Sequence, residues 1–141
     1  MLRTKRYLKL GALAAVIAVL GSCVLIVDSN GGSLFTDIQV GTEYTGQSIG
    51  ANESNYYAFV AGSNLSGVHN IAVSSMTTST DWYLYESQTS ATTGGTSVQS
   101  SENAGTANDT ANAQLTPGKT YYLVVKEKEG KTGSYTLNIT N

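Results

Sequence analysis

The sequence predicts an all-β fold, an antiparallel, jelly-roll-like β-sandwich, and three observations predict it. From Leu34 onward apolar residues alternate with a period of two, and no stretch carries the 3.6-residue period of an amphipathic helix. The alternating runs are rich in β-branched and aromatic residues, which suit a pleated, half-buried surface. Turn residues separate the runs: Gly41-Thr42, Gly50-Ala51-Asn52, Gly62-Ser63-Asn64 and Pro117-Gly118.

Taken in order, these signals place strands at 34–40, 43–49, 54–60, 68–75, 81–86, 96–100, 110–115, 120–127 and 133–140. Successive side chains of a strand point to opposite faces. In the third run Tyr57 and Phe59 therefore share one face and Tyr56 lies on the other. In the fifth run Trp82 and Leu84 oppose Tyr83 and Tyr85. In the eighth, Tyr121, Leu123 and Val125 oppose Tyr122 and Val124, and in the ninth Tyr135, Leu137 and Ile139 share a face. Tyr57, Phe59, Trp82, Leu84, Leu123, Val125, Leu137 and Ile139 form the predicted core. Ser87 to Asn112 is almost wholly Ser, Thr, Gly, Asn and Ala, so a long loop is expected there, with one weak strand around Val98.

The first 22 residues read as a targeting segment. MLRTKRYLKL is basic and GALAAVIAVL is apolar, the two regions of a secretory signal. The apolar run Leu10–Leu20 has 11 residues, where a spanning helix needs about 20. An uncleaved membrane helix running on through Val27 is the alternative. Leu20-Gly21-Ser22-Cys23 resembles the lipobox of bacterial lipoproteins, which implies a diacylglyceryl group on Cys23 and cleavage before it. Stable anchoring by acyl chains takes two signals, and a diacylglyceryl group meets that need. Val24 stands where that family carries aspartate for inner-membrane retention, which implies the outer membrane in a source that has one.

Residues 1–22 are thus expected to be signal peptide, 23–33 lipidated cysteine and a flexible Gly/Ser tether, and 34–141 a single sandwich domain. Cys23 is the only cysteine, so the domain has no disulfide. Four of the eight basic residues lie in the leader, which leaves four lysines against ten acidic residues and a net charge of −6. Such a chain has no basic patch for nucleic acid and no direct attraction to anionic lipid.

Several runs together resemble the bacterial pre-peptidase C-terminal domain, a jelly-roll-like sandwich found beside secreted proteases. They are Tyr57-Ala58-Phe59, then Asp81-Trp82-Tyr83-Leu84-Tyr85, the pair Asn108-Asp109, Gly118-Lys119-Thr120-Tyr121-Tyr122, and Gly133-Ser134-Tyr135-Thr136-Leu137. Trp82 stands where the family usually has leucine, Gly118 precedes its tyrosines by one extra residue, and no protease domain precedes this copy. Some relatives bind calcium, which makes Asp81, Asn108 and Asp109 candidate oxygen ligands. Their spacing matches no EF-hand, and turn or cap roles account for them as well.

Catalytic chemistry finds little footing. His69 is the only histidine, has no identifiable partner, and reads as a solvated strand residue. No Gly-x-Ser-x-Gly elbow and no phosphate loop with its lysine occur. Lys126-Glu127-Lys128-Glu129 reads as a solvated hairpin end. Two non-enzymatic roles remain. One is a binding or adhesion module of the cell envelope, meeting an extracellular polymer through a flat patch of Tyr56, Tyr83, Tyr85 and Tyr122. The other is a periplasmic structural or chaperone-like lipoprotein packing against a protein partner. The tyrosines can share a patch only if their strands share a sheet, which the sequence leaves open.

Overall fold

The computed structural model describes residues 33–141; the leader, Cys23 and the tether up to Gly32 lie outside the described residues. The strands are β1 (Thr36–Asp37), β2 (Glu43–Ile49), β3 (Ser54–Val60), β4 (Val68–Ser74), β5 (Thr80–Tyr85), β6 (Gln99–Ser101), β7 (Asp109–Gln114), β8 (Thr120–Glu127) and β9 (Gly133–Thr140), with one short helix, α1 (Gln88–Thr93), between β5 and β6. They make two sheets, of order β1-β3-β8-β5-β6 and β2-β9-β4-β7. The two sheets form a sandwich whose inner faces carry the apolar halves of the alternating strands.

Two expectations about the chain's course are corrected. The first run is a strand only at Thr36–Asp37, and it pairs parallel to β3, through Thr36 opposite Tyr57 and Asp37 opposite Ala58. The stretch after Ser87, expected as a loop with one weak strand around Val98, carries β6 near that place and, beyond the expectation, the helix α1. Capping, not apolar periodicity, makes α1. The Ser87 hydroxyl accepts from the Ser90 N–H at 3.1 Å, and Gly94 ends the helix at φ 68°, a conformation that suits glycine. The Thr92 and Thr93 hydroxyls bond back to the carbonyls of Gln88 and Thr89. Only Ala91 is buried.

The core follows the strand alternation. None of Tyr57, Phe59, Trp82, Leu84, Leu123, Val125, Leu137 and Ile139 is more than 4 % exposed. Trp82 lies opposite Val125, and Leu84 opposite Leu123, which in turn faces Tyr57. From the other sheet, Ile71 pairs with Ile139 and Val73 with Leu137. The polar atoms of the buried core rings find partners, as burial demands, whereas Asn64 Oδ1, Gln88 Oε1, Asp109 Oδ2 and Asn138 Oδ1 are buried without one. The Trp82 indole N–H donates to the Asp109 carbonyl at 3.0 Å, and the Tyr57 and Tyr135 hydroxyls meet at 2.6 Å.

Two charged or polar residues taken as solvated are in the interior. His69 is fully buried. Its Nδ1 contacts the Gly67 carbonyl at 3.1 Å and its Nε2 accepts from the Gly62 N–H at 2.9 Å, so the Nδ1–H tautomer satisfies both. Glu127 is also buried, at the inner end of β8. Its carboxylate accepts from the backbone N–H groups of Asn52 (2.8 Å), Glu129 (2.7 Å) and Gly130 (2.9 Å) and from the Thr78 hydroxyl (2.9 Å). It thereby ties together the β2–β3 turn, the β4–β5 loop and the β8–β9 turn. Burial pushes this carboxyl up, but the donors outweigh it and hold its pKa at about 2.

Candidate functional site

Tyr56, Tyr83, Tyr85 and Tyr122 all project from the outer face of the five-stranded sheet. Register places them in two adjacent rows: Tyr56–Val124–Tyr83 and Ala58–Tyr122–Tyr85. The four tyrosines named from the sequence thus share one face, but the surface is not flat and the four are not equivalent.

Phe35 stands edge-on against Tyr56, with ring centroids 5.6 Å apart, and against Tyr122 at 5.1 Å, and is itself buried. On the other side α1 packs over β5 and β8 and covers Tyr85, which is 6 % exposed, and Val124. Between sheet and helix remains a cavity of about 340 Å³, lined by Ser54, Tyr56, Tyr83, Tyr85, Val124 and Lys126 from the strands and by Ala91, Thr92, Thr93 and Gly94 from the helix end. That volume lies at the lower end of the range of small-molecule sites. Tyr122 is not part of its lining.

The tyrosine orientations are fixed by neighbours. The Tyr83 hydroxyl donates to Asp81 Oδ2 at 3.2 Å. Burial, and then the charges of Asp81 and Glu102, raise the Tyr83 pKa, so its hydroxyl stays a donor at neutral pH. Burial, with Tyr56 alongside, raises that of Tyr85. Lys126 stands at the cavity wall with Ser54. Sequence reasoning missed both Lys126 and the helix wall, because a lysine in a charged run and a Thr-rich stretch each look solvated.

The calcium candidates each have a protein partner. Asp81 is ion-paired with Lys128 at 3.1 Å. Asp109 is buried, and its Oδ1 closes the β6–β7 loop by accepting from the Asn103 N–H at 2.7 Å and the Ser101 hydroxyl at 3.1 Å. Burial raises the Asp109 pKa against the pull of those two donors. Asn108 is exposed and offers its carbonyl to the Asn103 side chain. Among the described residues no three His, Cys, Asp or Glu side chains cluster so as to hold a metal ion. Asp81 lies within β5 and Asp109 opens β7.

A two-layer sandwich with this architecture is the fold of the pre-peptidase C-terminal domain. Among solved structures, the pre-peptidase C-terminal domain of a collagenase from Bacillus anthracis is similar, with a TM-score of 0.57 and 23 % identity over 73 % of this chain and 91 % of that one. No protein-family model matches the chain, and no curated protein matches it. At that identity the likeness defines the fold, and the site has to be argued from its own residues.

Proposed function

We propose that this chain is a non-catalytic cell-envelope lipoprotein whose sandwich grips a surface polymer in the tyrosine groove. The observation that carries the proposal is the cavity between the sheet and α1, where three tyrosines and a lysine converge on a surface already ordered before any ligand arrives. Tyrosine gives large contact area with little rotamer entropy to lose, and a preformed groove keeps the ordering cost of binding low. The sole histidine has both ring nitrogens engaged in the interior, far from the role of a general base. The similar solved domain belongs to a collagenase, so collagen is among the polymers to try.

Replacing Tyr56 and Tyr83 together by alanine is expected to weaken binding at least tenfold while circular dichroism stays unchanged. Tyr85 is left in place because it supports α1. Binding is read in a solid-phase assay against collagen, other matrix proteins and glycans. Undiminished binding by the folded double variant would remove the groove from the site. A wild-type protein that binds no polymer would favour a periplasmic partner instead.

The anchor is a separate expectation. Cys23→Ala should leave the precursor uncleaved and free of labelled palmitate. A wild-type protein that keeps its leader and takes up no lipid would replace the lipid anchor by a membrane helix.

A further inference from the structure

The cavity holds one charge that nothing else in the described chain answers. Of the four lysines among the described residues, Lys119 pairs with Glu86 at 2.9 Å, Lys128 with Asp81 at 3.1 Å and Lys131 with Glu129 at 3.1 Å. Lys126 has no carboxylate partner among them, although Asp81 is its register neighbour on β5. Asp81 is engaged by Lys128 and by the Tyr83 hydroxyl instead. Lys126 is exposed at the rim of this tyrosine-lined cavity, where its ammonium can meet an anion through a charge-assisted hydrogen bond.

We infer that the cavity binds a linear polysaccharide bearing carboxylates, with a sugar ring against Tyr56 and Tyr83 and its carboxylate on Lys126; the inference takes the groove as the binding site, as proposed above. A pyranose ring has an apolar C–H face that fits a tyrosine ring and an edge of hydroxyls. Ser54, Thr92 and Thr93 supply oxygen partners for such an edge around the cavity. Lys126 is the one cationic side chain of the lining, so the carboxylate is placed there.

The floor argues against a peptide bound as an added strand. Such binding needs an open sheet edge. Here the floor is a sheet face, not an edge: β3, β8 and β5 lie side by side beneath the cavity. A nucleic acid would need many phosphate contacts, and one free lysine does not provide them.

The test is isothermal titration of the full chain, in neutral detergent, with polygalacturonate and with its methyl ester. The two polymers share a backbone and differ in charge. Polygalacturonate is expected to bind, the ester several-fold more weakly, and added salt to weaken only the first. Lys126→Gln should lose about tenfold for the acid polymer, the worth of one charge-assisted hydrogen bond, while Lys126→Arg retains it. Equal binding of acid and ester, or indifference to Lys126→Gln, would overturn the anionic ligand and leave the groove standing. Equally tight binding of polyglutamate, also lost in Lys126→Gln, would overturn the sugar in favour of an acidic peptide. Binding to collagen but to neither pectin would overturn the inference alone, and binding to none of these would overturn the groove as well.

Discussion

Replacing Trp82 by alanine is expected to cost about 3–5 kcal/mol, a large share of the roughly 5–15 kcal/mol that holds a small domain together. Trp82 is completely buried between Val125 of β8 and Ser101 of β6 and is the largest side chain in the core. Its loss removes contact on both sheets. It also removes the indole N–H from the Asp109 carbonyl, which is the hydrogen bond that pins the start of β7 beneath β5. Trp82→Phe should cost less, since it keeps most of the apolar area and loses about 1 kcal/mol with that bond. Urea unfolding of the two variants, read by circular dichroism, measures both. A Trp82→Ala protein within about 1 kcal/mol of wild type would mean that the indole is not in the core and that the register of β5 is wrong by one residue.

The second large effect is in acid. The Glu127 carboxyl titrates at about 2 in the folded chain against an ordinary value of 4.5. A depressed pKa means that the folded state holds fewer protons than the unfolded state between those values. The stabilisation is therefore fully present above about pH 4.5 and is lost as pH falls towards 2. Asp109 works in the opposite sense: burial raises its pKa, so its share of stability grows as pH falls. The net slope in wild type is expected to follow Glu127, which gathers four donors from three loops. Glu127→Gln should melt lower than wild type at pH 7 and show a flatter decline in Tm between pH 4.5 and 2. Parallel pH profiles for the two proteins would contradict this role for the carboxylate.

Most of the sandwich was legible because strand parity was. Runs 54–60, 120–127 and 133–140 coincide with β3, β8 and β9, where apolar residues alternate, and run 43–49 coincides with β2, which turn residues bound although a register shift between Tyr44 and Gln47 breaks its alternation. Buried His69 and Glu127 were also legible in that parity, although their chemistry disguised them. His69 shares its face with Ile71 and Val73, and Glu127 continues the inward row Tyr121, Leu123, Val125. Helix α1 was not legible from periodicity, since QTSATT buries one alanine. Its signal was Ser87 and Gly94 set seven residues apart, a cap at each end. The site was half legible. Outward parity named the tyrosines, but sheet order, which decides whether they meet, depends on pairings between residues far apart in sequence. The helix and Phe35 then turned an expected flat patch into a groove.

The proposed binding groove is tested most directly by following backbone amides during a titration. Residues 29–141 include the whole buried core and form the basis for an isotopically labelled sample. Oligogalacturonate and a triple-helical collagen peptide would be added in separate titrations. With either polymer that binds, the account predicts shifts confined to 54–56, 83–85, 91–94 and 124–126, the residues around the cavity between α1 and the five-stranded sheet. Shifts clustered instead on the outer face of β4 and β7, around Asn70 and Asn112, would place the binding surface on the opposite sheet and contradict it.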